Sequence, residues 1–209
     1  MRVALVGTGS IGTILGALIT MTGEDIELVD SNLEHVNALN RNGAKIVGFM
    51  NATIPVKAIM PRQMNGKYDL VISLTKQTAL KESLTSALQY MHDDSIVLTL
   101  QNGIPEDISR KIVGDERVMG GGVEFGATWL GPGVSELTSD TSYLKITFGQ
   151  LDGKITKKTK KVQKVFSSFG QSEISTNILG TRFSKLTDNS TFSAMSAVLG
   201  CNNGKILDS

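Results

Sequence analysis

A lysine and an asparagine stand one helical turn apart late in the chain, at Lys185 and Asn189. With Ser193 and Ser196 they recur at i, i+4, i+8 and i+11, which places all four on one face of a helix. A lysine ammonium can polarise or protonate a carbonyl oxygen that becomes an alkoxide, and an amide one turn away can hold a neighbouring polar group. The same spacing also describes a solvated polar stripe on a surface helix. What decides between the two is the company these residues keep.

Near the other end, Gly7-Thr8-Gly9-Ser10-Ile11-Gly12 follows a strand-like run, Arg2–Val6, and opens a helix-like one, Ser10–Met21. Three glycines at this spacing mean little alone; between a strand and a helix they suit the phosphates of a dinucleotide. Gly7 permits the tight turn, Gly9 leaves room for a pyrophosphate, and Gly12 lets helix and strand pack closely. The helix N-terminus adds unpaired N–H groups and a partial positive charge. Asp30 closes the second strand, where an acid hydrogen-bonds the adenine ribose hydroxyls. Its carboxylate repels a 2′-phosphate, so NAD is expected over NADP, although Arg41 or Lys45 could offset the repulsion. The plainer reading is an ordinary glycine turn with a surface aspartate.

These residues need a scaffold, and strand and helix signals alternate to supply one. Ile26–Val29, Asp69–Leu74 and Ser95–Leu100 read as buried strands. Asn32–Asn40 and Thr78–Tyr90 read as helices, and Pro105 is placed to start another. Ala44–Lys57 suggests a β excursion. Repeated β-α units imply a Rossmann-type, doubly wound parallel sheet, an α/β fold. After Val118–Val123 the pattern changes: Val134–Thr138 and Tyr143–Phe148 read as an antiparallel edge, and Lys154–Phe169 as an amphipathic helix. From Ile178 the chain is helix-like, interrupted near Gly200–Gly204. The expected division is a dinucleotide-binding domain over 1–175 and the first part of an all-helical domain over 176–209. Lys76 and Asn102 follow strands whose carboxyl ends should face the ligand crevice. The Asn102 amide could position a nicotinamide or a substrate oxygen, or Asn-Gly could be a turn dipeptide. Lys76 reads more plainly as a surface lysine.

Composition narrows the function classes. Among 209 residues, 21 Lys+Arg balance 20 Asp+Glu, so no broad field draws the chain to nucleic acid or an anionic membrane. The Lys154–Lys164 cluster reads as a solvated helix face. One cysteine, Cys201, excludes a disulfide framework and a Cys-cluster zinc site, and it lacks the neighbouring base a nucleophile needs. His35 and His92 show no metal-ligand spacing and read as surface residues, so no metal is expected. No apolar run reaches the ~18 residues of a membrane helix, and the N-terminus lacks a signal peptide's basic region. A cytoplasmic protein is the expectation.

Taken together, Gly7–Gly12, Lys76, Gln101-Asn102-Gly103, Gly131-Pro132-Gly133 leading to Phe148-Gly149, Lys185-Leu186-Thr187-Asp188-Asn189 and the Asn202–Gly204 turn resemble the ketopantoate reductases (2-dehydropantoate 2-reductases). The similarity runs over essentially the whole chain, and the order of the pieces carries its specificity. The resemblance implies NAD(P)H-dependent reduction of a 2-keto acid, of the type that converts ketopantoate to pantoate in pantothenate biosynthesis. It implies Lys185 as the catalytic proton donor, and Asn102, Asn189 and Ser193 as substrate contacts. Asn102 also touches cofactor, together with Gly7, Thr8, Gly9, Ser10, Ile11, Gly12, Asp30 and Lys76. Family members mostly use NADP, and Asp30 departs from their basic or neutral residue there. Ser193 stands where many members have a second asparagine. Family chains are about half as long again, and the helical part expected to be missing carries a substrate-binding serine and acid. A homodimer through the C-terminal helices is expected. The alternatives are another β-hydroxyacid-type dehydrogenase and a non-catalytic NAD(H)-binding module.

Overall fold

The computed structural model describes residues 1–201 and 205, without the side chain of Ser193. In chain order the elements are β1 (Arg2–Val6), α1 (Ser10–Thr20), β2 (Asp25–Val29), α2 (Leu33–Asn42), β3 (Ala44–Gly48), β4 (Ala52–Ile54) and β5 (Ala58–Ile59). There follow β6 (Tyr68–Ser73), α3 (Gln77–Ala87), β7 (Met91–Thr99), α4 (Glu106–Val113), β8 (Val118–Val123), β9 (Ala127–Gly131) and β10 (Val134–Leu137). Last come β11 (Lys145–Gln150), α5 (Lys157–Val165), β12 (Gln171–Ile174), α6 (Ile178–Asp188), a π-helical stretch (Asn189–Ser193) and α7 (Ala194–Leu199).

Eight strands form one sheet in the order β12-β11-β8-β7-β6-β1-β2-β5. All neighbours are parallel except β11 against β8. Both faces are covered, so the central strands are continuous apolar runs. Within β1, Val3 and Leu5 enter the core beneath α1 and α2, while Ala4 and Val6 enter the core beneath α3. The chain runs from β1 out to β2 and returns to β6 on the other side of β1. That reversal opens a crevice at the carboxyl ends of β1 and β6, the usual ligand position in such sheets.

The β excursion belongs to a second sheet, β4-β3-β10-β9, packed against α1. This corrects the expected antiparallel edge. β10 pairs with β3 (parallel) and β9 (antiparallel), whereas β11 joins the main sheet beside β8. The two strands of the supposed edge never pair. Between them Asp140 caps a 3-10 turn at Thr141–Tyr143, which separates the strands into different sheets. β12 carried no apolar run (QSEI) and escaped the sequence pattern.

Local signals set the element ends. Asn32 caps α2 by accepting the His35 N–H, and Gly43 closes it at φ +75°. Thr156 caps α5, so that helix is shorter than its apolar period suggested. Beyond α7, Gly200 turns at φ +61°; the Asn202–Gly204 part of the expected interruption lies outside the described residues.

Candidate active site

The crevice is a cleft of about 1120 Å³ along the carboxyl edge of the main sheet. From one side to the other it meets Asp30 after β2, the glycine turn after β1, Lys76 after β6, Asn102 after β7 and Val123 at the end of β8. Four strand spacings at about 4.8 Å make roughly 19 Å, the span of an extended dinucleotide.

The glycines each do a different job. Gly7 holds φ +95°, and a Cβ there would lie 2.5 Å from the Thr75 nitrogen. A Cβ on Gly12 would lie 2.4 Å from the Gly7 carbonyl oxygen, so helix and turn touch only because Gly12 is bare. Gly9 is different: a Cβ there would meet nothing within 4 Å, because it faces the open cleft. The first intrahelical bond of α1 is Thr13 N–H to the Gly9 carbonyl. The N–H groups of Ser10, Ile11 and Gly12 therefore stand ahead of it, next to that open space. The Lys76 ammonium lines the same cleft and makes no ion pair among the described residues. Open room, unpaired N–H groups and a free cation fit a pyrophosphate.

Asp30 faces the cleft and is anchored there. One carboxylate oxygen accepts the Thr8 N–H (2.8 Å) and hydroxyl (3.0 Å), and the other accepts the Asn32 N–H (2.9 Å). Acceptor capacity remains for a ribose hydroxyl. Arg41 and Lys45 are exposed and do not line the cleft. Thr8 itself is fully buried, with its polar groups spent on Asp30, Thr13 and His35. It shapes the turn from beneath rather than lining the cleft.

His35 is fully buried, not a surface residue. The Gly133 N–H donates to its Nδ1 at 2.9 Å, so Nε2 carries the proton and donates to the Thr8 carbonyl at 2.7 Å. Burial holds its pKa below the ordinary 6.5, outweighing the Thr8 bond and the Asp30 charge. Its ring lies 4.6 Å from that of Trp129, which lines the cleft. His92 is exposed.

Across the cleft stand Lys185 of α6 and Asn189, the first residue of the π-helical stretch. The Lys185 ammonium donates to the Val123 carbonyl at 2.6 Å, and its stem runs 3.8 Å from where a Gly122 Cβ would be. One of three N–H donors is used, leaving two for a ligand. Burial first, then the Arg182 cation, lowers its pKa from the usual 10.5, with Glu124 opposing. The Asn189 and Asn102 side chains have no hydrogen-bond partner among the described residues. The cleft wall between them is Leu100, Val123 and Phe125.

The predicted stripe breaks after Asn189. The π-helical stretch shifts the register, and Ser196 turns away to donate to the Cys201 carbonyl, outside the cleft. Ser193 lies in that stretch. The sequence reading missed Glu106 and Arg182, both buried and neither lining the cleft. The triple glycine Gly120–Gly122 in β8 was the available signal, since glycine inside a strand marks a close approach.

A cleft that fits a dinucleotide, with a lysine across it, is the form of site that NAD(P)-dependent oxidoreductases use. A family model described as "Ketopantoate reductase PanE/ApbA" matches residues 3–153. The chain belongs to the ketopantoate reductase family, whose members are NAD(P)-dependent oxidoreductases acting on CH–OH groups. The 2-dehydropantoate 2-reductase of Pyrococcus horikoshii is 32% identical over 209 residues, covering 100% of this chain and 67% of its own. The structure is similar to that of 2-dehydropantoate 2-reductase from Geobacter metallireducens GS-15, with TM-score 0.85, 25% identity, and 96% of this chain and 66% of that one covered. It is also similar to a complex of D-mandelate dehydrogenase with NADH, with TM-score 0.83, 25% identity, and 97% and 64% covered. The chain thus spans about two thirds of the length of these relatives. Among the described residues no helix is long and apolar enough to cross a membrane, and no cluster of three or more His, Cys, Asp or Glu could hold a metal.

Proposed function

We propose that the chain reduces a 2-keto acid of the ketopantoate type to the 2-hydroxy acid with NADH or NADPH. One observation carries this reading: Lys185 and Asn189 share the cleft with the glycine turn and Asn102. When bound, the nicotinamide supplies a hydride to the keto carbon. The Gly9–Gly12 turn and Lys76 hold the phosphates, and Asp30 accepts from the ribose. Lys185 then donates a proton from Nζ to the oxygen that gains charge, which both stabilises and neutralises it. Asn102 and Asn189 orient the acid's polar groups, and Leu100, Val123 and Phe125 keep water from the reacting carbon. Asp30 favours NAD over NADP in this reading; the Ser193 side chain, expected to touch substrate, lies outside the described residues.

The same reading takes 1–175 as the dinucleotide-binding domain and the helices from Ile178 to Leu199 as belonging to a separate helical one. The end of β12 at Ile174 and the helices from Ile178 support that division. It includes a homodimer through the C-terminal helices and a cytoplasmic setting, which suits the lone thiol of Cys201.

The test is a panel of 2-keto acids with NADH and NADPH, followed by nicotinamide absorbance. Turnover is expected for wild type. Lys185→Ala should lose about 10²–10⁴-fold in kcat while keeping its cofactor affinity. Wild-type kcat in that variant removes Lys185 from the reaction. Tight cofactor binding with every acid inert would instead favour a non-catalytic NAD(H)-binding module.

A further inference from the structure

Arg182 is a charged residue with only 3% of its surface exposed, on a helix that is otherwise largely open on its outer face. Its guanidinium touches three separate elements. Nη1 donates to the Gly121 carbonyl of β8 at 2.7 Å. Nη2 donates to the Gln101 carbonyl, in the turn after β7, at 2.6 Å. Nε lies 3.0 Å from Oε1 of Glu106 on α4, and that carboxylate is itself buried and accepts the Thr99 hydroxyl at 2.6 Å.

The place of these contacts in the chain matters more than their number. Arg182 precedes Lys185 by three residues, so the two share a stretch of one helical turn. Gln101 immediately precedes Asn102. A bond from Arg182 to the Gln101 carbonyl therefore ties the helix bearing the lysine to the turn bearing the amide. Gly120 belongs to the same arrangement, because a Cβ there would sit 3.0 Å from Glu106 Oε1. A buried ion pair is a poor way to gain stability, since packed apolar side chains of similar volume do as well. A planar guanidinium, however, can donate to two carbonyls at fixed angles while its charge faces a carboxylate as an ion pair, which neither a lysine nor an apolar residue can do.

We propose that Arg182, braced by Glu106, is a positioning residue: it holds the Lys185 ammonium and the Asn102 amide in one mutual geometry across the cleft. The inference rests on the reading of Lys185 and Asn102 as reaction residues, and goes beyond it by naming what aligns them.

Two variants test it in the whole chain. Arg182→Lys keeps a cation and loses the fork. Arg182→Met with Glu106→Gln removes both charges and leaves none unpaired in the interior; thermal melting identifies which variants fold. The first readout needs no turnover: acetic anhydride labelling of Lys185 against pH, followed by mass spectrometry. The double variant should label Lys185 with a rate and pH midpoint different from wild type, because the charges around the ammonium have changed and its seat at the Val123 carbonyl is no longer held. The second readout is kinetic. Both folded variants should lose roughly 100-fold in kcat, the scale of a 1 Å misplacement, with a much smaller change in NADH affinity, since the glycine turn and Asp30 are untouched. A folded double variant whose Lys185 titrates as in wild type overturns the proposal, as does a folded Arg182→Lys with wild-type kcat. Should wild type turn over no keto acid, the reductase reading fails, and the labelling result alone then decides the clamp.

Discussion

Two buried or anchored residues around the glycine turn carry sharp consequences. His35 is held neutral, with its Nδ1 accepting from Gly133 and its Nε2–H donating to Thr8. Burial depresses its pKa below the ordinary 6.5. The unfolded chain thus binds a proton that the folded one refuses. Its contribution to stability is complete above about pH 6.5 and is lost as pH falls through the lowered folded value. Urea denaturation from pH 8 to 5 should show wild type losing stability relative to His35→Gln over that window; parallel curves would refute the neutral-histidine account. Asp30 bears on cofactor choice. With its carboxylate fixed by Thr8 and Asn32, it cannot swing away from a 2′-phosphate. Asp30→Asn removes the charge and keeps one acceptor oxygen for the two Thr8 donors, while giving up the bond from the Asn32 N–H. Fluorescence titration should show its preference moving toward NADPH by about tenfold, the worth of roughly 1.4 kcal/mol; an unchanged ratio of affinities contradicts the assignment.

At the scale of the element, the β1–α1 turn separates folding from binding. Gly7→Ala forces a side chain to φ +95° and pushes a Cβ onto the Thr75 backbone. A loss of about 1–2 kcal/mol from the dihedral alone is expected, with more from the clash. Gly9→Ala meets no atom within 4 Å, and Gly9 sits at φ −60°, so melting should be nearly unchanged. NADH binding should nevertheless weaken, because the methyl group occupies the phosphate room. Equal NADH affinity in Gly9→Ala and wild type would falsify the placement of phosphates there. The order of β1, α1, β2, β6 and β7 was legible in the sequence because parallel strands buried on both faces are written as apolar runs. β3, β4 and β10 could be read as strands, but the second sheet they form with β9 could not, since it depends on Val134 meeting Lys45 across a long stretch of chain. No local pattern encodes that pairing.

For the whole molecule, the question is what covers the C-terminal helices. Phe183, Met195, Val198 and Leu199 are 56%, 43%, 85% and 62% exposed. Apolar groups left open on adjoining turns favour association. Light scattering is expected to show a dimer, and Val198→Glu with Leu199→Glu should shift it to monomer. A wild-type chain that stays monomeric across concentration removes the dimer from the proposal. The lysine-rich segment behaves differently: Lys154 pairs with Asp152 and Lys158 reaches Asp94, so those charges are matched locally rather than offered to a polyanion.

The sequence by itself determined the glycine turn, the acid after β2, the parallel α/β order and the Lys185–Asn189 pair. Each of these is a local pattern, set by backbone sterics, strand burial or helical period. Only the tertiary structure decided that His35 lies beneath the turn and that β10 leaves the main sheet. It also decided that Ser196 falls outside the cleft and that Arg182 and Glu106 meet under its floor. Those facts depend on contacts between segments far apart in the chain, and on a π-helical shift, whose energies no single stretch of residues contains.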